Sequence, residues 1–245
     1  MGMPDAAKRV RVHAFAASLL TAVTLASTSV AASAAADWGA PAAASSGLTA
    51  VGALGSVAAV SAHNVWAVGF TGNLAGAHGS LIVRWNGTMW RRVPSPDSPG
   101  SQLNGVAATS AGDAWAVGLA RSKSLILRWN GRVWKRAMSP SLPRGADLVG
   151  VTAISDRSAW AVGCTGCFTT GTVNSKPLIL RWNGSAWKQV AGPAAGRSAF
   201  LIGVAAPSAR SAWAVGNAWA VGSIGSFAAA KPETLALHWN GRSWR

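Results

Sequence analysis

The stretch Trp129-Asn130-Gly131-Arg132-Val133-Trp134 decides the fold of this chain, because the pattern Trp-Asn-Gly-x-x-Trp occurs four times in 245 residues. Asn-Gly between two apolar runs is a strong hairpin signal, since both residues accept the positive φ of a two-residue type I′ turn. The sequence therefore predicts that Trp129 pairs with Arg132 and that both tryptophans lie diagonally adjacent on one buried face. The same turn is predicted at Asn86, Gly87, Asn130, Gly131, Asn183, Gly184, Asn240 and Gly241.

The hairpins belong to a longer internal repeat. Runs of the type Leu-x-x-Val-x-Ala begin at Leu54, Leu103, Leu148 and Leu201, so the repeat length is 49, 45 and 53 residues. Each run is followed by Ala-Trp-Ala-Val-Gly or its near match, then by an apolar run, the Asn-Gly turn and a last short run. Four short strands in a repeat of this length are typical of one blade of a β-propeller. No segment after residue 36 keeps a helical period of 3.6 residues over ten positions.

These repeated blocks make the chain resemble the secreted β-propeller repeat proteins of bacteria, kelch-like or WD40-like in the broad sense. The resemblance implies an all-β propeller of four four-stranded blades, spanning 54–102, 103–147, 148–200 and 201–245, the last with a truncated outer strand. It implies no particular activity, because propellers carry unrelated functions. The Gly-His and Trp-Asp signatures of WD40 blades and the paired glycines of kelch blades are absent from the sequence.

Tryptophan is expected to form the core between blades, since each residue buries a large apolar area. Three tryptophans recur in each repeat. The predicted structural core is Trp66, Trp85, Trp90, Trp115, Trp129, Trp134, Trp160, Trp182, Trp187, Trp213, Trp239 and Trp244. Arginines recur beside the third-strand tryptophan at Arg84, Arg128 and Arg181, where we expect their stems to cover the indole rings.

The tryptophans at the two ends of the repeat region allow two interpretations of how the ring closes. Trp38 resembles an outer-strand tryptophan left over from a preceding blade, whereas the last blade has its own Trp244. Either the N-terminal strand completes the last blade, or the four blades are part of a larger ring. Both readings, and assembly with another copy through open blade edges, stay open at this point.

The first residues predict export. A basic start with Lys8, Arg9 and Arg11, an apolar run from Ala14 to Ala26 and small residues up to Ala36 are typical of a secretory signal peptide over 1–36. Residues 37–53 form a linker carrying Trp38. We therefore expect a secreted protein without a membrane span after signal removal.

The charge suggests a class of partner. With 22 Lys and Arg against 7 Asp and Glu, the chain carries a formal charge of +15. Such a charge favours extracellular polysaccharides or anionic wall polymers as ligands, and only non-specific contact with nucleic acid. A protein partner is the alternative.

Binding is predicted on one face of the propeller. The connections between second and third strands vary in length, at 11, 6, 14 and 18 residues, while those at the opposite face are short. Variable loops on a rigid scaffold are where function tends to lie. The candidate binding residues are His78, Arg121, Lys123, Lys176, Trp219, Lys231 and Glu233; Trp219, placed in an irregular loop, is the candidate for stacking on a sugar.

The remaining motifs favour binding over catalysis. Cys164 and Cys167 are predicted to form a local disulfide rather than a metal or redox site, because further ligands and a βαβ setting are missing. Neither a cofactor nor a metal is expected. The chain has no tyrosine, which excludes the tyrosine nucleophile of propeller sialidases. The alternative is a glycoside hydrolase or lyase using Asp97, Asp147 or Glu233, since such chemistry needs paired carboxylates. A purely structural, self-assembling repeat protein is the third hypothesis.

Overall fold

The structure is a computed structural model that describes residues 52–73, 76–96, 99–167, 175–193, 198–219 and 232–245. For residues 73, 76–78, 198, 217–219, 232 and 233 only the backbone is described. The chain divides into two compact units, Met1–Ala44 and Ser45–Arg245, and all described residues belong to the second. The predicted signal peptide, the strand around Trp38 and Asp97 lie outside the described residues.

Four antiparallel sheets follow one another along the chain, one for each repeat. Blade 1 contains β1 (Gly52–Ser61), β2 (Asn64–Asn73), β3 (Gly76–Trp85) and β4 (Trp90–Arg92). Blade 2 contains β5 (Ser101–Ser110), β6 (Asp113–Ala120), β7 (Lys123–Trp129) and β8 (Trp134–Arg136). Blade 3 contains β9 (Asp147–Ser155), β10 (Ser158–Thr165), β11 (Lys176–Trp182) and β12 (Trp187–Gln189). Blade 4 contains β13 (Ser198–Ser208), β14 (Ser211–Trp219) and β15 (Pro232–Trp239).

The strands of each blade are ordered as they occur in the sequence, so every blade is an up-and-down meander. Blade 4 has three strands, and an isolated bridge between Trp239 and Trp244 stands where the other blades have their fourth strand. The first strands of successive blades, β1, β5, β9 and β13, pack against one another. These observations confirm the predicted all-β, propeller-type architecture of four blades. Among the described residues there is no helix that could cross a membrane.

Tryptophans form the core between blades in a repeated arrangement. We call Trp66, Trp115, Trp160 and Trp213 the second-strand tryptophans. The third- and fourth-strand tryptophans of one blade form its tryptophan pair. Each of the first three second-strand tryptophans is fully buried against the tryptophan pair of the next blade. These pairs are Trp129 and Trp134, Trp182 and Trp187, and Trp239 and Trp244.

One residue of the predicted core does not lie in it. Trp213 of blade 4 is 52% exposed, whereas its three equivalents are 0% exposed. The reason is that no described blade follows blade 4, so no tryptophan pair covers this ring. The prediction that Trp213 is a core residue is therefore wrong for this structure.

The Asn-Gly hairpins differ from the predicted two-residue turn. Trp129 pairs directly with Trp134, and Leu127 pairs with Arg136. The loop between them has four residues, because the Asn130 side-chain oxygen accepts hydrogen bonds from the backbone N–H groups of Arg132 and Val133, at 3.0 and 2.9 Å. Gly131 supplies the single positive φ, 90°. The two indoles are therefore direct cross-strand neighbours, with ring centroids 5.9 Å apart, rather than diagonal ones.

The glycine of Ala-Trp-Ala-Val-Gly is required by the neighbouring inner strand. The ladder between β5 and β6 shifts register between Leu103 and Gly105, which marks a β-bulge at Asn104. Gly118 lies opposite this bulge, and a Cβ added there would collide with the backbone carbonyl of Gln102. Any side chain at this position would therefore push the two innermost strands apart.

Candidate functional site

The predicted binding face lies where second strands lead into third strands. In blade 2 this connection is a tight turn of Arg121 and Ser122, whose φ values are 47° and 63°. In blade 1 the ladder continues to the pair Asn73 and Gly76. The connections of these two blades are thus much shorter than the predicted 11 and 6 residues, because the strands extend through Gly, Ser and Thr positions that looked like loop.

Backbone hydrogen bonds hold the turns along this face in place. The N–H of Arg121 donates to the carbonyl of Gly100 at 3.3 Å, and the N–H of Gly145 donates to Ser122 at 2.9 Å. Gly166 donates to Gly145 at 3.1 Å. The first and third of these bonds extend the β5–β6 and β9–β10 ladders, and the bond from Gly145 to Ser122 joins blade 3 to blade 2. We call this connected set of loops the loop face.

The loop face presents four exposed cations on blades 2 and 3, namely Arg121, Lys123, Arg144 and Lys176. Arg121 is oriented by its own Nε–H, which donates to the carbonyl of Pro99 at 3.4 Å. Three of these cations were predicted from the sequence. Arg144 was missed, although its place between Pro143 and Gly145 in the segment before β9 was a signal that it lies in a turn on the same face.

The acidic group of this face is withdrawn from solvent. Asp147 is 3% exposed, and its Oδ1 accepts a hydrogen bond of 3.0 Å from the Asn104 side-chain amide. Desolvation by burial raises the pKa of Asp147 from 3.8 to about 7, against the smaller opposing effect of hydrogen bonds from Leu148 and Asn104. Near neutral pH this carboxyl group carries only part of its charge, so it offsets less of the positive charge around it than a fully ionised aspartate would.

Several predicted site residues cannot be placed with the four cations. The side chains of His78, Trp219 and Glu233 and the whole of Lys231 lie outside the described residues. The backbone of Trp219 belongs to β14 and pairs with Ser198 and Pro232, so this residue lies in a strand and not in the predicted irregular loop. The ladder continues here for the same reason as in blades 1 and 2.

Cys164 and Cys167 are joined by a disulfide at the end of β10. Cys164 is 3% exposed and pairs with Asp147 on β9. The disulfide lies at the start of the connection between β10 and β11. Within the described part of the chain, no group of three or more His, Cys, Asp or Glu residues could hold a metal ion.

The recurring arginines are engaged inside the blade interfaces. The guanidinium carbon of Arg128 lies 4.9 Å from the ring centroid of Trp115 and 5.5 Å from that of Trp182, within cation–π range. Its Nε–H donates to Asp113 at 3.0 Å. Arg84 and Arg181 stack on the equivalent tryptophans. These three arginines therefore hold neighbouring blades together.

No protein-family model matches the chain, and no curated protein matches it. A solved structure of YCF48 bound to D1 peptide aligns with 80% of this chain and 82% of its own, at 12% identity and a TM-score of 0.36. A structure of U3-55K aligns with 78% of this chain and 63% of its own, at 10% identity and a TM-score of 0.45. Both are β-propeller proteins. The four blades described above define the chain as a tryptophan-rich repeat protein of the β-propeller type.

Proposed function

We propose that this chain is an exported interaction module, whose loop face binds an anionic polymer outside the cell. The main support for the proposal is a set of four exposed cations that lie in, or next to, turns held by backbone hydrogen bonds: Arg121, Lys123, Arg144 and Lys176. An ordered backbone lowers the conformational entropy that these segments lose on binding, and a polyanion relieves the mutual repulsion of the cations. The net charge of +15 adds long-range attraction to the same ligand class.

Binding is favoured over catalysis at this face. Asp147 is buried and bonded to Asn104, so it does not project toward a ligand from the surface. The other two carboxylates considered for glycan cleavage, Asp97 and Glu233, have no described side chain. The export part of the proposal depends on the basic and apolar pattern of residues 1–36.

A charge-matched pair of variants tests the proposal. The first replaces Arg121, Lys123, Arg144 and Lys176 by Ser. The second removes the same charge from the opposite end of the blades, at the exposed residues Arg132, Arg157, Arg210 and Arg242. Heparin serves as the anionic polysaccharide and dextran as the uncharged one, and binding is measured by isothermal titration calorimetry.

The loop-face variant should bind heparin about 10- to 100-fold more weakly than the parent chain, since four exposed contacts each contribute about 0.2–1 kcal/mol. The opposite-end variant should lose threefold or less, and dextran should not bind. Equal losses in both variants would mean that net charge alone attracts the polymer, and the loop face would not be the site.

A further inference from the structure

The interfaces between blades use one repeated contact. The ring centroid of Trp66 lies 4.9 Å from Trp129 and 5.1 Å from Trp134 of the next blade. The same geometry recurs for Trp115 against blade 3, at 5.0 and 5.0 Å, and for Trp160 against blade 4, at 5.2 and 5.2 Å. In each case one ring is tilted and the other is edge-on to the second-strand tryptophan, as aromatic rings prefer. A second-strand tryptophan is thus matched to the tryptophan pair of a following blade.

Blade 4 has the second-strand tryptophan of this contact, but no described tryptophan pair covers it. Trp213 and Val215 are 52% and 50% exposed, whereas the equivalent Trp160 and Val162 of blade 3 are both 0% exposed. His238 stacks on Trp213 with ring centroids 4.2 Å apart, on the side where the other blades place an arginine. We call this surface the trailing face.

Blade 1 has a tryptophan pair, but no described second-strand tryptophan of another blade packs against it. Its tryptophan pair, Trp85 and Trp90, has the usual centroid separation of 5.8 Å but is only half-buried. On the adjoining inner strand Leu54 and Val57 are 45% and 65% exposed, whereas the equivalent Leu103 and Val106 of blade 2 are 1% and 6% exposed. We call this surface the leading face.

The two faces do not cover each other within the described part of the chain. No hydrophobic cluster of described residues contains side chains of both blade 1 and blade 4. Each face lacks the partner that the other one carries. We propose that the occupant of both faces is a second copy of this chain, with Trp213 of one copy seated against Trp85 and Trp90 of the next.

The three interfaces between successive blades support a second copy as the partner, because they show which side chains cover a leading face and a trailing face. The contact joins two different surfaces and is therefore heterologous, so it propagates from copy to copy until the ring closes or a filament forms. It buries blade faces rather than pairing strand edges. Trp85 of the second copy would then cover the free side of His238, as Trp129 covers Arg84 within the chain.

Two single-face variants of the full chain test the proposal. Trp213→Ser disables the trailing face and Val57→Glu disables the leading face; both side chains are more than half exposed, so neither change opens a described core. Met138→Ser is the control, because Met138 is 90% exposed and lies on neither face. Sedimentation velocity and light scattering over a concentration series give the mass of each sample.

The parent chain and the Met138 variant should form assemblies of two or more copies of 24.9 kDa. Each single-face variant should be monomeric, or associate at least tenfold more weakly. Mixing the two single-face variants restores one intact contact, so the mixture should contain a dimer that grows no further. This mixing result separates the proposal from a general loss of solubility or folding.

A parent chain that stays monomeric at high concentration would overturn the proposal, whether the faces close within the molecule or another protein covers them. Assembly that survives both substitutions would overturn it as well, and so would a mixture without the capped dimer. The mass measurement does not involve heparin. The proposal of self-association and the proposed function can therefore be tested independently of each other.

Discussion

At the scale of single residues, arginine and tryptophan act as one structural unit. Arg128 lies over Trp115 of its own blade and Trp182 of the next, and its Nε–H is fixed by Asp113 at 3.0 Å. The side chain therefore joins two blades while its guanidinium group stays partly in water. Lysine would lack the planar group that stacks on both rings, so the two residue types are not equivalent here.

We expect Arg128→Ala to lower the free energy of unfolding by about 1–3 kcal/mol, because it removes two stacking contacts and leaves Asp113 without its cation. Arg132→Ala, on an exposed turn of the same blade, is the control and should change it by about 0.5 kcal/mol or less. Urea unfolding followed by circular dichroism measures both. Equal effects would show that the stacked geometry contributes nothing measurable.

Asp147 gives the protein a predictable response to pH. Its folded-state pKa is raised from 3.8 to about 7, so the folded protein holds this proton more tightly than the unfolded chain does. The resulting stabilisation is complete below about pH 4 and is lost as the pH rises through about 7. Asp147→Asn keeps the group neutral, so its unfolding midpoint should fall less than that of the parent between about pH 5 and 8.

At the alkaline end of this range, the unfolding midpoint of the variant should equal that of the parent or exceed it. The expected excess is about 2–4 °C for each kcal/mol of stability that the parent loses when Asp147 ionises. Thermal unfolding of both proteins over this pH range is the measurement. Parallel curves would show that the carboxyl group does not titrate with a raised pKa.

At the scale of strands and turns, two glycines have different roles in the same blade. Gly118 faces the carbonyl of Gln102 across the bulge, whereas Gly131 adopts a φ of 90° in an exposed turn. The first position forbids a side chain for lack of space, and the second disfavours one for conformational reasons alone. Substitutions at the two positions should therefore lower the free energy of unfolding by different amounts and for different reasons.

Gly131→Ala should destabilise the protein by about 1–2 kcal/mol, the usual cost of a left-handed conformation outside glycine. Gly118→Ala should cost more than about 3 kcal/mol or prevent folding, because backbone atoms must move. Gly112→Ala, which meets only the Ser110 hydroxyl at 3.9 Å, should be nearly neutral. Chemical unfolding ranks the three, and a mild effect at Gly118 would mean that the bulge can shift.

Repeats and strand periodicity were sufficient to predict the blades, because the core contacts recur wherever the same residues recur. The detail of the turns was not predictable from Asn-Gly alone, since the Asn130 side chain replaces two backbone acceptors and lengthens the loop. The exposure of Trp213 depends on which blade follows it, which its local sequence does not encode. The hydrogen bond from Gly145 to Ser122, which brings the segment of Arg144 to the blade 2 turn, depends on a contact between blades that the sequence does not show.

At the scale of the whole molecule, two opposite effects of salt are expected. Heparin binding relies on attraction between unlike charges, so added salt should weaken it. Self-association brings together copies that each carry +15, and it buries apolar faces, so added salt should strengthen it. Calorimetry and sedimentation between about 0.05 and 0.5 M NaCl measure the two trends. Self-association that weakens with added salt would mean that attraction between charges, and not burial of the apolar faces, holds the copies together.

The tryptophan contacts between blades also divide the stability of the molecule into separate parts. Blade 1 shares a hydrophobic cluster with blade 2, blade 2 with blade 3, and blade 3 with blade 4. A chain coupled only between nearest neighbours behaves like a one-dimensional array, in which the terminal units open first. Amide hydrogen exchange should therefore be slowest in β6 and β10 of the middle blades and fastest in β1 and β14. Docking of another copy would convert these fraying ends into interior units, so protection there would rise with protein concentration.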